Sequence, residues 1–282
     1  MTTKLILGAI AGDIIGAPYE FTGMKNNDFP LYNSAVKGIN RFTDDTVLTV
    51  ATMDCLLSKE EQQDYNYTSF YRQYGKKYPS AGYGDSFYGW LYMECPKPYN
   101  SFGNGSAMRV SPIGWWFDNM EDVLRESKLS AEVTHNSEEG IRGAQAVATA
   151  VFLARTEKSK KILSKYISDK FGFNLNLTCN DIKKNYKYEI RCDKTVPEAI
   201  ICFLESSDYE SAIRLAVSLG GDSDTLAAIA GSIAEAFYGE ISQIILDETL
   251  QRLPDALKQT IESFSKKINQ STFNPRALEN NK

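Results

Sequence analysis

Glycines at positions 8, 12 and 16 recur every fourth residue through the apolar run Leu5–Gly16. On a helix they share one face, and a face without side chains permits the backbone of a second helix to come close. We read a short apolar helix over residues 4–20 that runs into Ala17-Pro18-Tyr19-Glu20. It is too short and too interrupted for a membrane span. Close packing would hold its acidic residues, Asp13 and Glu20, near the core.

Helical periodicity recurs along most of the chain. Apolar residues at helical spacing predict helices over about 46–58, 65–77, 137–155, 158–169, 196–204, 209–217, 225–237, 241–252 and 255–269. The aromatic run Phe87, Tyr88, Trp90, Leu91 and Tyr92 reads as core. Residues 21–40 and the stretch Ser80–Ser86 read as loops, and the tail from Asn274 as frayed. Residues 171–193 are less regular; Tyr186, Tyr188 and Ile190 alternate briefly, which predicts an extended excursion or a short hairpin.

Composition narrows the chemistry. With 43% hydrophobic and 24% charged residues the 282-residue chain reads as globular, and no apolar run is long enough to cross a bilayer. A net charge of −5 without a basic-aromatic stripe gives no sign of nucleic-acid binding. Five scattered cysteines without a C-x-x-C pair indicate neither a disulfide framework nor a zinc site, so a cytoplasmic protein is expected. A single histidine, His135, rules out multi-histidine metal sites. Any metal must be held mainly by oxygen.

Two segments offer that oxygen. Thr43-Asp44-Asp45-Thr46 and Asp222-Ser223-Asp224-Thr225 share one grammar: a loop, carboxylates, a threonine, then an apolar helix. Alone, each reads as a helix start, because acidic residues in a first turn complement the macrodipole and Thr43 would serve as a cap. Together they read differently. Neighbours on a helix diverge by about 100°, so Asp44 and Asp45 would sit at a helix end or bridge two ions. Mg²⁺ and Mn²⁺ take six oxygen ligands, and Asp44, Asp45, Asp222 and Asp224, with threonine hydroxyls and water, would supply them. Crowded carboxylates without a cation would repel one another, which favours a metal. The second segment does not fit an EF-hand, which needs glycine where Ala227 stands, nor a phosphatase strand, because Gly220-Gly221 precedes it. The loop Asn100–Arg109 lacks the third glycine of a dinucleotide-binding turn and the Gly-Lys of a P-loop. By itself it reads as a plain turn, and His135 as a capping or packing residue.

Taken in order, Gly12–Glu20, Phe42–Thr46, Gly103–Arg109, Thr134-His135 and Gly220–Thr225 resemble the ADP-ribosylglycohydrolase family across essentially the whole chain. The resemblance implies a single domain over 1–282, all-α, an orthogonally packed multi-helix bundle with a central metal cleft and two Mg²⁺ or Mn²⁺ ions. It implies metal ligation by Thr43, Asp44, Asp45, Asp222, Asp224 and Thr225. It implies catalytic work by Asp44, Asp45 and Glu20, and substrate binding by Ser101, Phe102, Gly103, Asn104, Gly105 and His135. The expected partner is an ADP-ribosylated protein or small-molecule conjugate, hydrolysed at C1″ of the distal ribose, with no nucleic acid, no membrane and a monomer favoured. Two alternatives fit the same fold: a non-catalytic, crystallin-like ADP-ribose binder, and a metal hydrolase that cuts a nucleotide diphosphate.

Overall fold

The computed structural model describes residues 4–33, 39–60 and 66–271. Parts of two expected elements, residue 65 of the second long helix and residues 34–38 of the 21–40 loop, lie outside these, as does the tail from Asn274. The protein is all-α, and no strand occurs among the described residues. In chain order the helices are α1 (Gly8–Gly16), α2 (Asp44–Glu60), α3 (Tyr67–Lys77), α4 (Asp85–Tyr92), α5 (Gly105–Met108), α6 (Ser111–Trp116), α7 (Met120–Glu132) and α8 (Glu138–Thr156). They continue with α9 (Lys160–Phe171), α10 (Cys179–Lys183), α11 (Cys192–Glu205), α12 (Tyr209–Val217), α13 (Ser223–Tyr238), α14 (Gln243–Gln251) and α15 (Asp255–Ser271). A 3-10 turn, Ala17–Tyr19, follows α1.

The glycine face of α1 lies on α13, and the two backbones touch. A Cβ on Gly12 would fall 2.2 Å from the Ala227 carbonyl oxygen, one on Gly16 2.3 Å from that of Ser223, and one on Gly8 2.6 Å from that of Gly231. Rising numbers on α1 meet falling numbers on α13, so the helices are antiparallel. The last turn of α1 therefore lies beside the first turn of α13. That juxtaposition follows from three missing side chains, and it carries Asp13 and Glu20 toward the second acidic segment.

The same pair is tied by carboxylates at helix starts. Glu235 of α13 accepts from the amides of Leu7 (3.0 Å) and Gly8 (2.8 Å), two of the N–H groups that α1 leaves without an internal partner. Asp13 of α1 does the same for α2. It accepts from the Thr43 amide at 2.9 Å, the Thr43 hydroxyl at 2.7 Å, the Thr46 amide at 3.1 Å, and the Thr46 hydroxyl. Apolar burial does the rest: α13 is buried from Ser223 to Ala236 on every side, as a small-residue helix at the centre of a bundle should be.

Three expectations need revision. The first helix starts at Gly8 rather than residue 4, with its N-terminal amides met by Glu235. Of the aromatic run, Phe87, Trp90 and Leu91 point inward, whereas Tyr88 and Tyr92 are exposed. Of the two readings of residues 171–193, the extended excursion holds and the short hairpin does not. Thr178 and Asp181 build a reciprocal capping box that nucleates the short helix α10. The alternating residues beyond it run extended, with a lone bridge between Arg191 and Gly103. Each finds a tertiary partner instead of a neighbouring strand.

Candidate active site

The two acidic segments meet in the wall of a cleft of about 410 Å³. Its walls include Glu20, Thr43, Asp44, Asp45, Ser101, Gly103, Asn104, Gly105, His135, Asp222, Asp224 and Thr225. Across the junction the Thr225 hydroxyl donates to Asp45 Oδ2 at 3.2 Å, although the residues are 180 apart in sequence. Carboxylate oxygens of Glu20, Asp222 and Asp224 lie within 4.8 Å of one another, close enough to share an ion. Asp44 and Asp45 lie outside that trio and line the same cleft from the α2 side.

Electrostatics reveals the cost of this crowding. Burial, then the Asp224 and Asp13 charges, holds the carboxyls of Asp44 and Asp45 well above the usual range. Burial and the neighbouring Asp222 and Asp13 do the same to Asp224. Asp222 is pushed up to about 6, chiefly by burial, while hydrogen bonds from Asp224 and Asn104 pull it back. Burial and then Asp224 push Glu20 up to about 7. Asp45 Oδ1 is buried without a hydrogen-bond partner. A buried carboxylate oxygen left unpaired inside an acidic cluster is costly unless a cation meets it. The oxygen-rich donor set and the orphaned atom fit Mg²⁺ or Mn²⁺.

The glycine loop forms the opposite wall. A Cβ on Gly105 would lie 3.1 Å from His135 Nε2, and one on Gly103 3.3 Å from the Ser101 hydroxyl. The loop is pinned by the extended segment that precedes α11. The Asn104 amide N–H donates to the Ile190 carbonyl at 2.7 Å, and the Cys192 amide to the Phe102 carbonyl at 3.0 Å. Asn104 uses its side chain to donate to Asp222 Oδ2 at 2.7 Å and to Thr195 at 3.2 Å. It thereby fixes an acidic residue. Phe102 does not line the cleft: its ring is 48% exposed and lies under the Arg191 guanidinium, 4.9 Å away. Ser101 remains at the wall, its carbonyl accepting from the Ser137 hydroxyl at 2.6 Å.

Tyr188 and Arg109 line the cleft and Asp13 and Gly220 lie close to it, although none of them was given a site role from sequence. Tyr188 reaches Glu20 Oε1 at 3.4 Å and packs its ring 4.8 Å from Phe21. Gly220, at φ +71°, leaves room for the 21–25 loop, where a Cβ would lie 2.7 Å from the Met24 carbonyl. Arg109 is fully buried against the Tyr71 ring at 4.2 Å. A signal existed only for Asp13, the sole charged residue in an otherwise apolar helix.

Comparison with known proteins agrees with this architecture. The family model described as ADP-ribosylglycohydrolase matches residues 2–277. The ADP-ribosylhydrolase ARH3 of Mus musculus is 28% identical over 330 aligned residues, covering 92% of this chain and 86% of that protein. The ADP-ribosylarginine hydrolase Tri1 of Pseudomonas putida (strain GB-1) is 24% identical, covering 83% and 69% respectively. A solved structure described as an ADP-ribosylglycohydrolase-related protein complex aligns with a TM-score of 0.66 at 20% identity, covering 95% of this chain and 97% of that one. With its family match spanning nearly the whole length, the chain belongs to the ADP-ribosylglycohydrolase family.

Proposed function

We propose that the chain is a divalent-metal-dependent hydrolase that cleaves the glycosidic bond at C1″ of the distal ribose in an ADP-ribosylated protein or small molecule, releasing ADP-ribose. Family membership makes the chain a hydrolase. The relatives' names, ADP-ribosylhydrolase and ADP-ribosylarginine hydrolase, support the substrate class. The observation that carries the reading is the orphaned Asp45 Oδ1, buried beside a second acidic helix start. The residues proposed to hold two Mg²⁺ or Mn²⁺ ions are Thr43, Asp44, Asp45, Asp222, Asp224 and Thr225. When bound, the ions would supply Lewis-acid charge at the carboxylate cluster.

The chain's own groups do the remaining work in this reading. Gly103 and Gly105 let the substrate's diphosphate approach the backbone, with Ser101 and His135 beside it. Water attacks C1″ as the bond to the leaving group breaks, and Asp44, Asp45 or Glu20 accepts the water's proton. Without metal, burial and then the Asp224 charge raise Glu20 to about 7. The remaining carboxylates stabilise the oxocarbenium-like charge that develops on the ribose. The test is a panel of defined ADP-ribose conjugates followed by mass spectrometry, with and without Mg²⁺. Metal-dependent release of intact ADP-ribose supports the reading, whereas AMP and ribose phosphate as products would overturn it.

A further inference from the structure

The chain has one histidine, and its ring is held at one end in a way that fixes its protons. His135 is only 5% exposed, and its Nδ1 lies 2.7 Å from the Thr134 hydroxyl. That hydroxyl also receives a hydrogen bond from Arg109 Nη2 at 2.9 Å. A guanidinium only donates, so one lone pair of Thr134 Oγ1 is taken. Thr134 is fully buried, and among the described residues its hydroxyl has hydrogen-bond partners only in Arg109 and His135. Since Arg109 cannot accept, Nδ1 is the one acceptor for the hydroxyl proton, and leaving that buried proton unpaired would be costly.

Arg109 is rigidly placed for this role. It is fully buried, lies over the Tyr71 ring at 4.2 Å and donates a second bond to the Ser130 carbonyl at 2.9 Å. Its Nε and Nη1 are buried without partners, so its positive charge is not neutralised nearby. At the other end of the imidazole, Nε2 faces the glycine loop, where a Cβ on Gly105 would lie only 3.1 Å away and one on Gly103 would make an ordinary contact at 3.8 Å. Nε2 meets no acceptor among the described residues and opens on the cleft.

We infer that Arg109 and Thr134 are positioning residues that lock His135 in its Nε2–H tautomer, so that the ring presents a fixed N–H donor to an anionic or hydroxyl oxygen of the bound substrate. A relay of donors runs from the guanidinium through the hydroxyl to Nδ1, and it leaves one tautomer. Burial, together with the Arg109 charge, also keeps the ring from protonating, holding its pKa well below the usual histidine range. The inference rests on the ADP-ribose reading only for the identity of the acceptor. The tautomer is a property of the ligand-free protein.

Because there is one histidine, a long-range ¹H–¹⁵N correlation spectrum of untagged, ¹⁵N-histidine-labelled protein reads its tautomer without assignment. The expected wild-type result is a protonated Nε2 and an unprotonated Nδ1, unchanged from mildly alkaline to mildly acidic pH. A protonated Nδ1, a mixture of tautomers or an imidazolium at neutral pH would overturn the inference. Thr134→Val should lose the single tautomer and Thr134→Ser should keep it; the wild-type tautomer persisting alone in Thr134→Val would overturn the role of Thr134. Should Thr134→Val fail to fold, the wild-type and serine spectra still decide. In turnover, Thr134→Val should raise KM about tenfold with kcat changed much less, as expected for a binding donor lost. A wrong tautomer in the free protein refutes the lock, whereas the right tautomer with no response of Nε2–H to added ADP-ribose refutes the substrate reading.

Discussion

The two acidic helix starts share a sequence grammar but are supported in different ways. At α2 Asp13 from another helix accepts from the Thr43 and Thr46 amides, while the Thr43 hydroxyl accepts from the Asp45 amide at 3.3 Å. Its own Asp44 and Asp45 are thereby released from capping and line the cleft. At α13 the N-cap residue is Asp222, yet its side chain makes no capping bond and is held instead by Asn104 of the glycine loop. One start is capped from outside. The other forgoes its side-chain cap and lies close to Glu20. At both starts the carboxylates line the cleft, although Asp224 still accepts from the Thr225 amide of its own first turn at 2.9 Å.

The sharpest way to break this comparison is to remove one carboxylate from each start. Asp44→Asn and Asp224→Asn should each cut metal-dependent ADP-ribose release by on the order of 10³-fold, read as kcat/KM. Near-normal turnover in either would separate that start from the site.

Asp13→Ala should be the next largest effect, and it should appear in stability. It removes the acceptor for two buried amides and two hydroxyls, at a cost of about 3 kcal/mol in urea unfolding. Asp222→Ala, whose side chain caps nothing, should cost α13 much less stability while abolishing turnover. If the two lose equal stability, the proposed difference in capping is wrong. Gly12→Ala tests the packing that brings the starts together. A methyl 2.2 Å from a backbone oxygen must separate α1 from α13, at about 2–3 kcal/mol.

Acidity gives a subtler contrast. Asp222 at about 6 and Glu20 at about 7 lie above ordinary carboxylates, so the folded chain keeps protons that the unfolded chain releases. The stability they contribute is complete below the ordinary carboxylate range and is lost as pH rises through about 6 to 7. In EDTA, Tm should therefore fall across that window, and Mg²⁺ should restore more of it at the alkaline end. A Tm in EDTA that rises through the window would contradict the clustering. The smallest expected effect is that of Tyr188→Phe. It removes a long, half-exposed bond to Glu20 and should change kcat by only a few-fold with little change in Tm.

Much of this site was legible because its residues sit in patterned positions. The glycine spacing at 8, 12 and 16 announced a close helix pair, and the carboxylate–threonine starts announced themselves at 43–46 and 222–225. What the pattern did not carry was the partner of each face. That Gly12 meets Ala227 depends on how far the chain returns, and no local period encodes it. Asp13 appeared only as a charge in an apolar helix, because a cap supplied from another helix leaves no trace in the sequence beside α2. For residues 171–193 the alternation left an extended excursion and a short hairpin both open, because extended segments alternate whether they pair or not. Here Tyr186 fills the space over Gly221, where a Cβ would lie 2.4 Å from its ring, and Tyr188 meets Glu20. The family resemblance placed Asn104 at the substrate; its side chain lines the cleft and also holds Asp222, a contact 118 residues away in the chain that no local pattern encodes.

The central claim is that the two differently supported starts hold one metal centre. Anomalous diffraction from crystals soaked in Mn²⁺ tests it most directly. The account predicts two peaks in the cleft, with carboxylate oxygens from both the 43–46 and the 222–225 segments about 2.2 Å from the ions. Peaks ligated by one segment alone, or no peak in the cleft, would contradict it.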